Sequence, residues 1–473
     1  MRCRVLCVCI LFAVFGEAAA GNPYPRVERY ELDVRFVPLE SSMTGKAVVH
    51  FAPDEVIGDE VVFYLHAELD VDSVLIAGQV VSVSVGQVYY DCNYALIADE
   101  LMVSVAGRDL SGGLTVYYSG YFHPSAARSA SDYMRIDDDG VFLRAYGYSL
   151  WFPVFLPDEG DAYAVMFADV IIRTPAEYHS VFLGTKKDEY TDGGERVTAW
   201  SASGASLYNA QCTAQRYTAA SEGNCFVYRY ADAASEEAGR DILTFTNRIT
   251  GLFQTRYRRS AEMDECYVIE MPRYGDISSG NVTGLMASTW REFRKDAVAR
   301  RHLAHELVHP FVRVPVARAD SLWSLAIEGF PTYFHLPILA EILGWEFYDG
   351  FIQQREKMYL EKRRTGKTRR GADLPPEIPL LAIAADEMST YKDEFVLPDR
   401  AVLFLNYLYQ RMGREAFFAF TSDLFNRDVL TAGTFRAVIE KYLPGSRADV
   451  EIWLSTTEYP ERFRLAQFGT SGK

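Results

Sequence analysis

The stretch DAVARRHLAHELVHPFV, residues 296–312, contains the pattern H-E-x-x-H in a chain with only eight histidines. Asp296 is a favoured helix N-cap residue, and neither glycine nor proline occurs between it and His309, so the stretch predicts a helix. His305 and His309 then lie one turn apart on the same side, as two ligands of one zinc ion must. Glu306 lies beside them, where its carboxylate can act as general base on a water molecule.

A third ligand is predicted in LWSLAIEGFPTYF (322–334), where eighteen residues separate His309 from Glu328. Asp320 can cap this second helix, and a carboxylate from a neighbouring helix completes a two-His, one-Glu site with an open fourth position. The alternative is a helix with two partly exposed histidines and a solvated glutamate. The joint spacing, together with the flanking tryptophan and Gly-Phe pair, favours the metal site.

Composition indicates a folded protein with two domains. The 473 residues exceed one ordinary domain, and a hydrophobic content of 49% with 14% aromatic residues is enough for sizeable cores. The formal net charge of −16 argues against nucleic acid as a main partner, because phosphate binding requires a basic surface. The oligomeric state cannot be read from the sequence.

The first twenty residues are typical of an export signal. MRCR supplies two arginines, VLCVCILFAVFG is a short apolar run, and Ala20 ends a small-residue cleavage pattern before Gly21. The alternative is a membrane anchor, but the apolar run is too short to span a bilayer comfortably. We therefore expect residues 1–20 to be a cleaved signal peptide. The mature protein is expected to be soluble, without a stable membrane span, and secreted, periplasmic or otherwise extracytoplasmic.

Hydrophobic periodicity divides the remaining chain into two parts. Over residues 21–230, apolar residues recur at every second position, as in YELDVRF (30–36), and turn residues separate such runs. This predicts an N-terminal antiparallel β-sandwich domain. Over residues 231–473 the period becomes helical apart from a strand-like run at 266–272, which predicts a mainly helical second domain. The boundary is expected near residue 230.

Four cysteines follow the export signal: Cys92, Cys212, Cys225 and Cys266. An even number in an exported chain permits two disulfides, and a bridge between Cys212 and Cys225 would close a short hairpin. Four buried free thiols are the alternative, because connectivity cannot be read from one sequence.

The zinc pattern, with Glu328 inside W-x-x-x-x-E-G-F, resembles the aminopeptidase N and leukotriene hydrolase family of zinc metallopeptidases, the gluzincins. Further stretches resemble the family's opening strands, the approach to the end of its first domain and the close of its catalytic domain. They are YPRVERYELDVRFVPLESSMTGKAVVHF (24–51), LWFPVFLPDEGDAYAVMF (150–167) and TAGTFRAVIEKYLPGSRADVEIWLSTTEYP (431–460).

The resemblance implies an α+β fold, in which a saddle-like N-terminal β domain precedes a thermolysin-like, mainly helical catalytic domain. It also implies that His305, His309 and Glu328 bind one Zn²⁺ ion, with Glu306 as the catalytic base. Peptides or proteins are the implied substrates. The family's large C-terminal helical-repeat domain is expected to be missing, because the chain stops at Lys473.

Two motifs of the family are altered in this chain. Members that remove N-terminal residues carry G-x-M-E-N, whose glutamate holds the substrate's free amine. The corresponding stretch GLMAS (284–288) has Ala287 and Ser288 in place of the glutamate and asparagine. Alanine cannot pair with an ammonium group, and an unpaired buried charge is costly. The usual recognition of a free N-terminus therefore does not carry over.

The family's Y-x-K-G aligns with residues 398–401, where Pro398 replaces the tyrosine that stabilises the oxyanion. Tyr391, seven residues earlier, is a candidate for this role from a loop, although packing is the commoner role of such a tyrosine. Pro331, three residues after Glu328, removes a backbone donor and predicts a kink beyond the ligand.

Arg144 falls near a position at which relatives place a residue that also contacts the amine. If it faces the zinc, the charge of the pocket is reversed and favours a carboxylate or an internal peptide oxygen. An ordinary arginine on a strand face is the more frequent case.

We interpret the sequence as that of an exported zinc metallopeptidase that hydrolyses peptide bonds, with altered N-terminus recognition or an endopeptidase-like action. One alternative is a catalytically impaired zinc-binding pseudopeptidase that acts as a binding protein. Retention of Glu306 argues against it, because a structural zinc site needs no base and normally closes its fourth position. A thermolysin-like endopeptidase without kinship to aminopeptidases is a third hypothesis, which the β-rich first half makes weaker.

Overall fold

The computed structural model describes residues 25–465 with short gaps. These gaps are residue 54, 92–95, 123–132, 145–149, 156–164, 207–209, 258–264, 272–276, 280, 313, 315, 318, 369–370, 385–386, 388–390 and 392–395. The predicted export signal and Cys92 lie outside the described residues. Within the described ranges, no helix is both long and apolar enough to cross a membrane.

Strands make up the N-terminal part of the chain. Their bounds are β1 Val27–Val37, β2 Ser42–Phe51, β3 Glu60–His66, β4 Leu69–Ile76, β5 Gln79–Val81, β6 Val83–Asp91, β7 Leu96–Ser104, β8 Leu114–Tyr121, β9 Tyr133–Asp137, β10 Gly140–Arg144, β11 Val165–Pro175, β12 His179–Phe182, β13 Thr185–Asp192, β14 Glu195–Ser206 and β15 Cys212–Gln215. The alternation predicted for β1 is confirmed, because Tyr30, Leu32 and Val34 are buried while Glu31 and Arg35 are exposed.

Three sheets are formed by these strands. The largest has the order β13-β14-β11-β1-β2-β8-β4-β5, in which β1 and β11 run parallel and the other neighbours antiparallel. The sheets β12-β15-β10-β9 and β3-β7-β6 are antiparallel. Their apolar faces meet in one core that includes Trp151, Phe182 and Trp200. The predicted β-rich first part is thereby confirmed.

The second part contains a smaller sheet and most of the helices. Its strands are β16 Thr218–Glu222, β17 Cys225–Arg229, β18 Cys266–Met271, β19 Ile277–Ser279 and β20 Val282–Met286. Its helices are α1 Ala233–Tyr257, α2 Ala287–Glu292, α3 Ala297–Val312, α4 Phe330–Leu343, α5 Trp345–Thr365, α6 Val402–Met412, α7 Arg414–Phe425, α8 Ala432–Tyr442 and α9 Arg447–Ser455. Two π-helical segments, π1 Leu325–Gly329 and π2 Val396–Ala401, precede α4 and α6.

The mixed sheet β16-β17-β18-β20-β19 lies between the two cores. β17, β18 and β20 run parallel, and β16 and β19 pair antiparallel at its edges. On β18, Cys266 and Val268 belong to the helical core, whereas Tyr267 and Ile269 belong to the β core. Burial on both faces explains why this run is nearly all apolar instead of alternating. The α+β fold predicted from the sequence is confirmed.

β16 and β17 precede residue 230 but belong to this sheet, and α1 begins directly afterwards. The change from strands to helices therefore falls near residue 230, and the domain boundary there stays a prediction.

Three of the four cysteines that follow residue 20 lie in the described part of the chain, and all three are buried free thiols. Cys212 lies in β15 and Cys225 in β17, strands of different sheets, so the Cys212–Cys225 bridge that the sequence permitted is not formed. Cys225 instead lies opposite Cys266 in the parallel pairing of β17 with β18.

Candidate metal centre

Helix α3 carries the H-E-x-x-H pattern as the sequence predicts. The carboxylate of Asp296 accepts a hydrogen bond from the backbone N–H of Val298 at 2.7 Å and thereby caps the first turn. One side of the helix is buried in the helical core through Ala299, Leu303, Ala304, Leu307, Val308, Phe311 and Val312. The other side presents His305, Glu306 and His309, which are all half-buried.

The predicted ligand atoms converge. The Nε2 atoms of His305 and His309 are 3.4 Å apart, and one ligand atom each from these two residues and Glu328 lie within 4.8 Å of one another. Among the described residues, this is the only such group of three or more histidine, cysteine or carboxylate side chains. Two imidazoles and one carboxylate are a donor set of catalytic zinc sites, so these residues fit a zinc ion.

Glu306 is adjacent to this group without belonging to it. Its carboxylate oxygen is 3.9 Å from Nε2 of His305. The side chain of Glu306 is 15% exposed and that of His305 is 19% exposed. A carboxylate that is close to the ligands and still reached by solvent can exchange a proton with a water molecule at the site.

Glu328 lies on π1, where the helix is wound more widely than an α-helix. The backbone N–H of Phe330 bonds the carbonyl of Leu325 five residues earlier, which is the π-helical pattern. The chain continues as α4, with Pro331 in its first turn. The kink predicted beyond the ligand stays a prediction.

Asp320 positions the approach to π1. Its carboxylate accepts a hydrogen bond from the N–H of Leu322 at 2.8 Å in the turn directly before the helix. The same oxygen also accepts one from the N–H of Ala432, at the start of α8, at 3.1 Å. One side chain therefore ties the segment that bears Glu328 to a distant helix.

His335 on α4 was not identified from the sequence. Its ring is fully buried, and its centroid is 5.5 Å from that of His305 at an interplanar angle of 88°. His335 is seven residues after Glu328, two turns along the helix, and this spacing was the signal that could have found it.

Burial governs the electrostatics of both histidines. It places the pKa of His305 well below its ordinary value, and the neighbouring His309 and His335 lower this pKa further. Burial also lowers the pKa of His335 to about 3. Both rings are therefore neutral at neutral pH, and a metal ion is bound by the neutral form of histidine.

Residues 398–401, which align with the family's Y-x-K-G, lie in π2 and are buried. The carboxylate of Asp399 accepts hydrogen bonds from Lys362 at 2.8 Å and from Arg355 at 3.1 Å. Arg400 is also fully buried and donates to the carbonyl of Thr456 at 2.6 Å. These polar side chains hold the segment in the core.

The remaining predicted residues are placed as follows. Tyr391 is 6% exposed in the helical core, and burial raises its pKa. In GLMAS, Met286 ends β20, and Ala287 and Ser288 begin α2, with Ser288 exposed. Arg144 is the last residue of β10, and its side chain lies outside what the structure describes. The roles proposed for these residues stay predictions.

The fold is similar to those of solved zinc metallopeptidases. An M1 zinc metallopeptidase from Deinococcus radiodurans matches 94% of this chain and 97% of its own, with 17% identity and a TM-score of 0.66. A mutant of an M1 zinc metallopeptidase from Deinococcus radiodurans, bound to a Tyr-Ser-Ala substrate, matches 93% of this chain and 96% of its own, with 17% identity and a TM-score of 0.63. Leukotriene A4 hydrolase from Saccharomyces cerevisiae matches 93% of this chain and 70% of its own, with 15% identity and a TM-score of 0.64.

No family model and no curated protein matches the chain. At these identities the likeness to solved structures shows the two-domain fold, a β-rich part followed by a helical part, and the chemistry must be argued from the side chains.

Proposed function

We propose that this protein is an exported zinc-dependent metallopeptidase that hydrolyses peptide bonds. The observation that carries the proposal is the convergence of His305, His309 and Glu328, with Glu306 beside them. The fold supports it, because the solved structures it resembles are named as zinc metallopeptidases and a leukotriene A4 hydrolase. Export rests on the sequence of residues 1–20 and is tested by determining the N-terminus of the secreted protein.

The residues at this site have two roles, metal binding and proton transfer. A zinc ion held by His305, His309 and Glu328 would supply Lewis acidity that polarises the scissile carbonyl and acidifies water at the site. Glu306 takes the proton from the attacking water and returns it to the nitrogen of the leaving amine. Its partial exposure suits this role, because the carboxylate must meet both water and substrate.

Recognition of the substrate is expected to differ from that of aminopeptidases. The carboxylate of the family's amine anchor is missing from GLMAS, because Ala287 occupies its position at the start of α2, next to the exposed Ser288. We therefore expect either another contact for the free N-terminus or cleavage at internal peptide bonds.

A second candidate function is that of a zinc-binding protein with little catalysis. The observation that favours it is the burial of π2, where Pro398 replaces the family's tyrosine and no residue from 398 to 401 is exposed. Losing one oxyanion donor typically costs about 10²–10³ in rate. Tyr391 is the candidate that would restore this donor.

The test is mass spectrometry on a peptide library incubated with the mature, zinc-loaded protein. Each peptide is offered with a free and with an acetylated N-terminus. Loss of single residues from free N-termini alone indicates an aminopeptidase with a new amine contact. Internal cuts that are indifferent to acetylation indicate an endopeptidase. No cleavage of any peptide with zinc bound overturns the peptidase proposal in favour of the binding protein.

A further inference from the structure

The hydrogen-bonding state of His335 is defined by one contact. Its Nδ1 atom is 2.7 Å from the carbonyl oxygen of Pro331. A carbonyl oxygen only accepts hydrogen bonds, so Nδ1 must carry the proton. In a neutral imidazole the other nitrogen, Nε2, then has a lone pair and is an acceptor.

That acceptor has no partner. The Nε2 atom of His335 is buried and makes no hydrogen bond with any residue that the structure describes. A buried polar atom without a partner loses its hydration and gains nothing in return, and such atoms are rare in folded proteins. The nearly perpendicular ring of His305 is its neighbour, with ring centroids 5.5 Å apart.

His305 can supply the matching donor. Its Nε2 atom is directed at Nε2 of His309, 3.4 Å away, and is therefore the nitrogen that faces the metal position. A histidine that binds zinc through Nε2 carries a proton on Nδ1, and that proton needs an acceptor. A donor on the ring of His305 and an acceptor without a partner on the ring of His335 thus belong to two rings in contact.

We propose that in the zinc-loaded protein Nδ1–H of His305 donates a hydrogen bond to Nε2 of His335, which makes His335 the positioning residue for the first zinc ligand. This inference rests on the zinc site of the proposed function. The bond fixes the tautomer of His305 and the direction of its Nε2 lone pair. Because Glu328, Pro331 and His335 follow one another along π1 and α4, the same continuous segment supplies one ligand and orients another.

The acceptor is also unusual in its chemical type, and it differs from a carboxylate in carrying no charge. Carboxylates and backbone carbonyls commonly accept this hydrogen bond at zinc sites. A neutral imidazole orients the ligand without adding a negative charge next to the metal. Among the zinc ion, its three ligands and His335, only the ion and Glu328 then carry a charge.

The experiment compares zinc affinities, measured without substrate by competition with a chromophoric chelator, and the visible spectra of the Co²⁺-loaded proteins. In His335→Phe the ring volume is kept and the acceptor is lost, so zinc affinity should fall about 10- to 100-fold and the Co²⁺ spectrum should change. In His335→Gln the side-chain oxygen can replace Nε2, and affinity should be largely restored. His66→Asn removes a histidine of β3, in the N-terminal part of the chain, and should leave both measurements unchanged.

Equal zinc affinities and Co²⁺ spectra in the parent and His335→Phe overturn the inference, and so does a loss in His335→Gln as large as in His335→Phe. If the phenylalanine variant does not fold, ¹⁵N-histidine NMR of the parent decides. A scalar coupling between Nδ1–H of His305 and Nε2 of His335 in the zinc-loaded protein supports the bond, and its absence overturns it. A parent that binds zinc but cleaves no peptide overturns the peptidase proposal alone.

Discussion

Gly329 of π1 packs directly against Ala401 of π2: a Cβ atom at Gly329 would lie 3.3 Å from the Cβ of Ala401 and 2.5 Å from Cδ1 of Leu325. Gly329 follows the predicted ligand Glu328, and Ala401 ends the segment aligned with the family's oxyanion motif. The two π-helical segments therefore meet beside the metal centre at a position where even a methyl group must displace a neighbour.

Replacing Gly329 with alanine should destabilise the protein by about 1–2 kcal/mol and weaken zinc binding. Overpacking typically costs about 1–3 kcal/mol, and the better helix propensity of alanine offsets up to about 1 kcal/mol of this, since Gly329 has helical backbone angles. Urea unfolding of the metal-free protein measures the first effect, and zinc competition measures the second.

Gly350→Ala is the matched control. Gly350 lies inside α5, and nothing is within 4 Å of a Cβ atom built there. The free energy of unfolding of this variant should rise by about 0.5–1 kcal/mol, because alanine loses less backbone entropy than glycine on folding. If Gly329→Ala is stabilised by the same amount as Gly350→Ala, the contact with Ala401 does not require a glycine.

The sequence was sufficient to predict structure wherever a local pattern matched its surroundings. The alternation in β1 predicted which side chains are buried, and the H-E-x-x-H spacing predicted that His305 and His309 project together from α3. Asp320 was expected to cap the second helix, and its carboxylate accepts a hydrogen bond from Leu322 in the turn directly before that helix. Each of these features is determined within a few residues of chain.

Features that depend on distant packing could not be predicted. The winding of π2 is stabilised by Lys362 and Arg355 on α5, which lie far from it in sequence. Parallel pairing of β1 with β11 joins strands about 140 residues apart, and nothing in either strand specifies its partner. From the sequence alone, His335 is interpreted as a residue on an apolar helix face. Only its contact with His305 indicates a role at the metal centre.

Replacing Glu306 with glutamine should abolish most turnover while zinc stays bound. Glutamine keeps the shape of the side chain but cannot accept a proton, and a positioned general base typically contributes about 10²–10⁴ in rate. Peptide hydrolysis and zinc content are measured on the same preparation. Glu346→Gln, at an exposed position in the first turn of α5, should behave as the parent in both assays. Unchanged hydrolysis by Glu306→Gln would remove the main support for the enzymatic mechanism.

Stability should decline with acidity in the range where His66 titrates. Burial lowers the pKa of His66 from 6.5 to about 4, and its Nδ1 accepts a hydrogen bond from the N–H of Glu68. The folded pKa is depressed below the unfolded one, so the unfolded chain binds the proton first as the pH falls. This contribution to the free energy of unfolding is complete above pH 6.5 and is lost progressively down to about pH 4.

The His66→Asn variant isolates this effect. Asparagine can still accept the hydrogen bond from Glu68 but does not titrate. Its free energy of unfolding, measured with urea across the interval from pH 6.5 to about 4, should depend less steeply on pH than that of the parent. Identical pH dependence in the two proteins would assign the acid sensitivity to other groups.

Replacing Asp399 with asparagine should destabilise the protein by about 3–5 kcal/mol. The Asp399 carboxylate is fully buried between Lys362 and Arg355, whose side chains are 7% and 17% exposed, and its loss leaves two cations with no charge to balance them. Urea unfolding measures the change in the free energy of unfolding, and Asp373→Asn is the control. Asp373 pairs with Lys367 at 2.7 Å, but the two side chains are 89% and 52% exposed, so its urea midpoint should stay essentially unchanged. Equal stabilities of the two variants would show that the buried ion pairs do not hold π2, and the position of Ala401 against Gly329 would then need another cause.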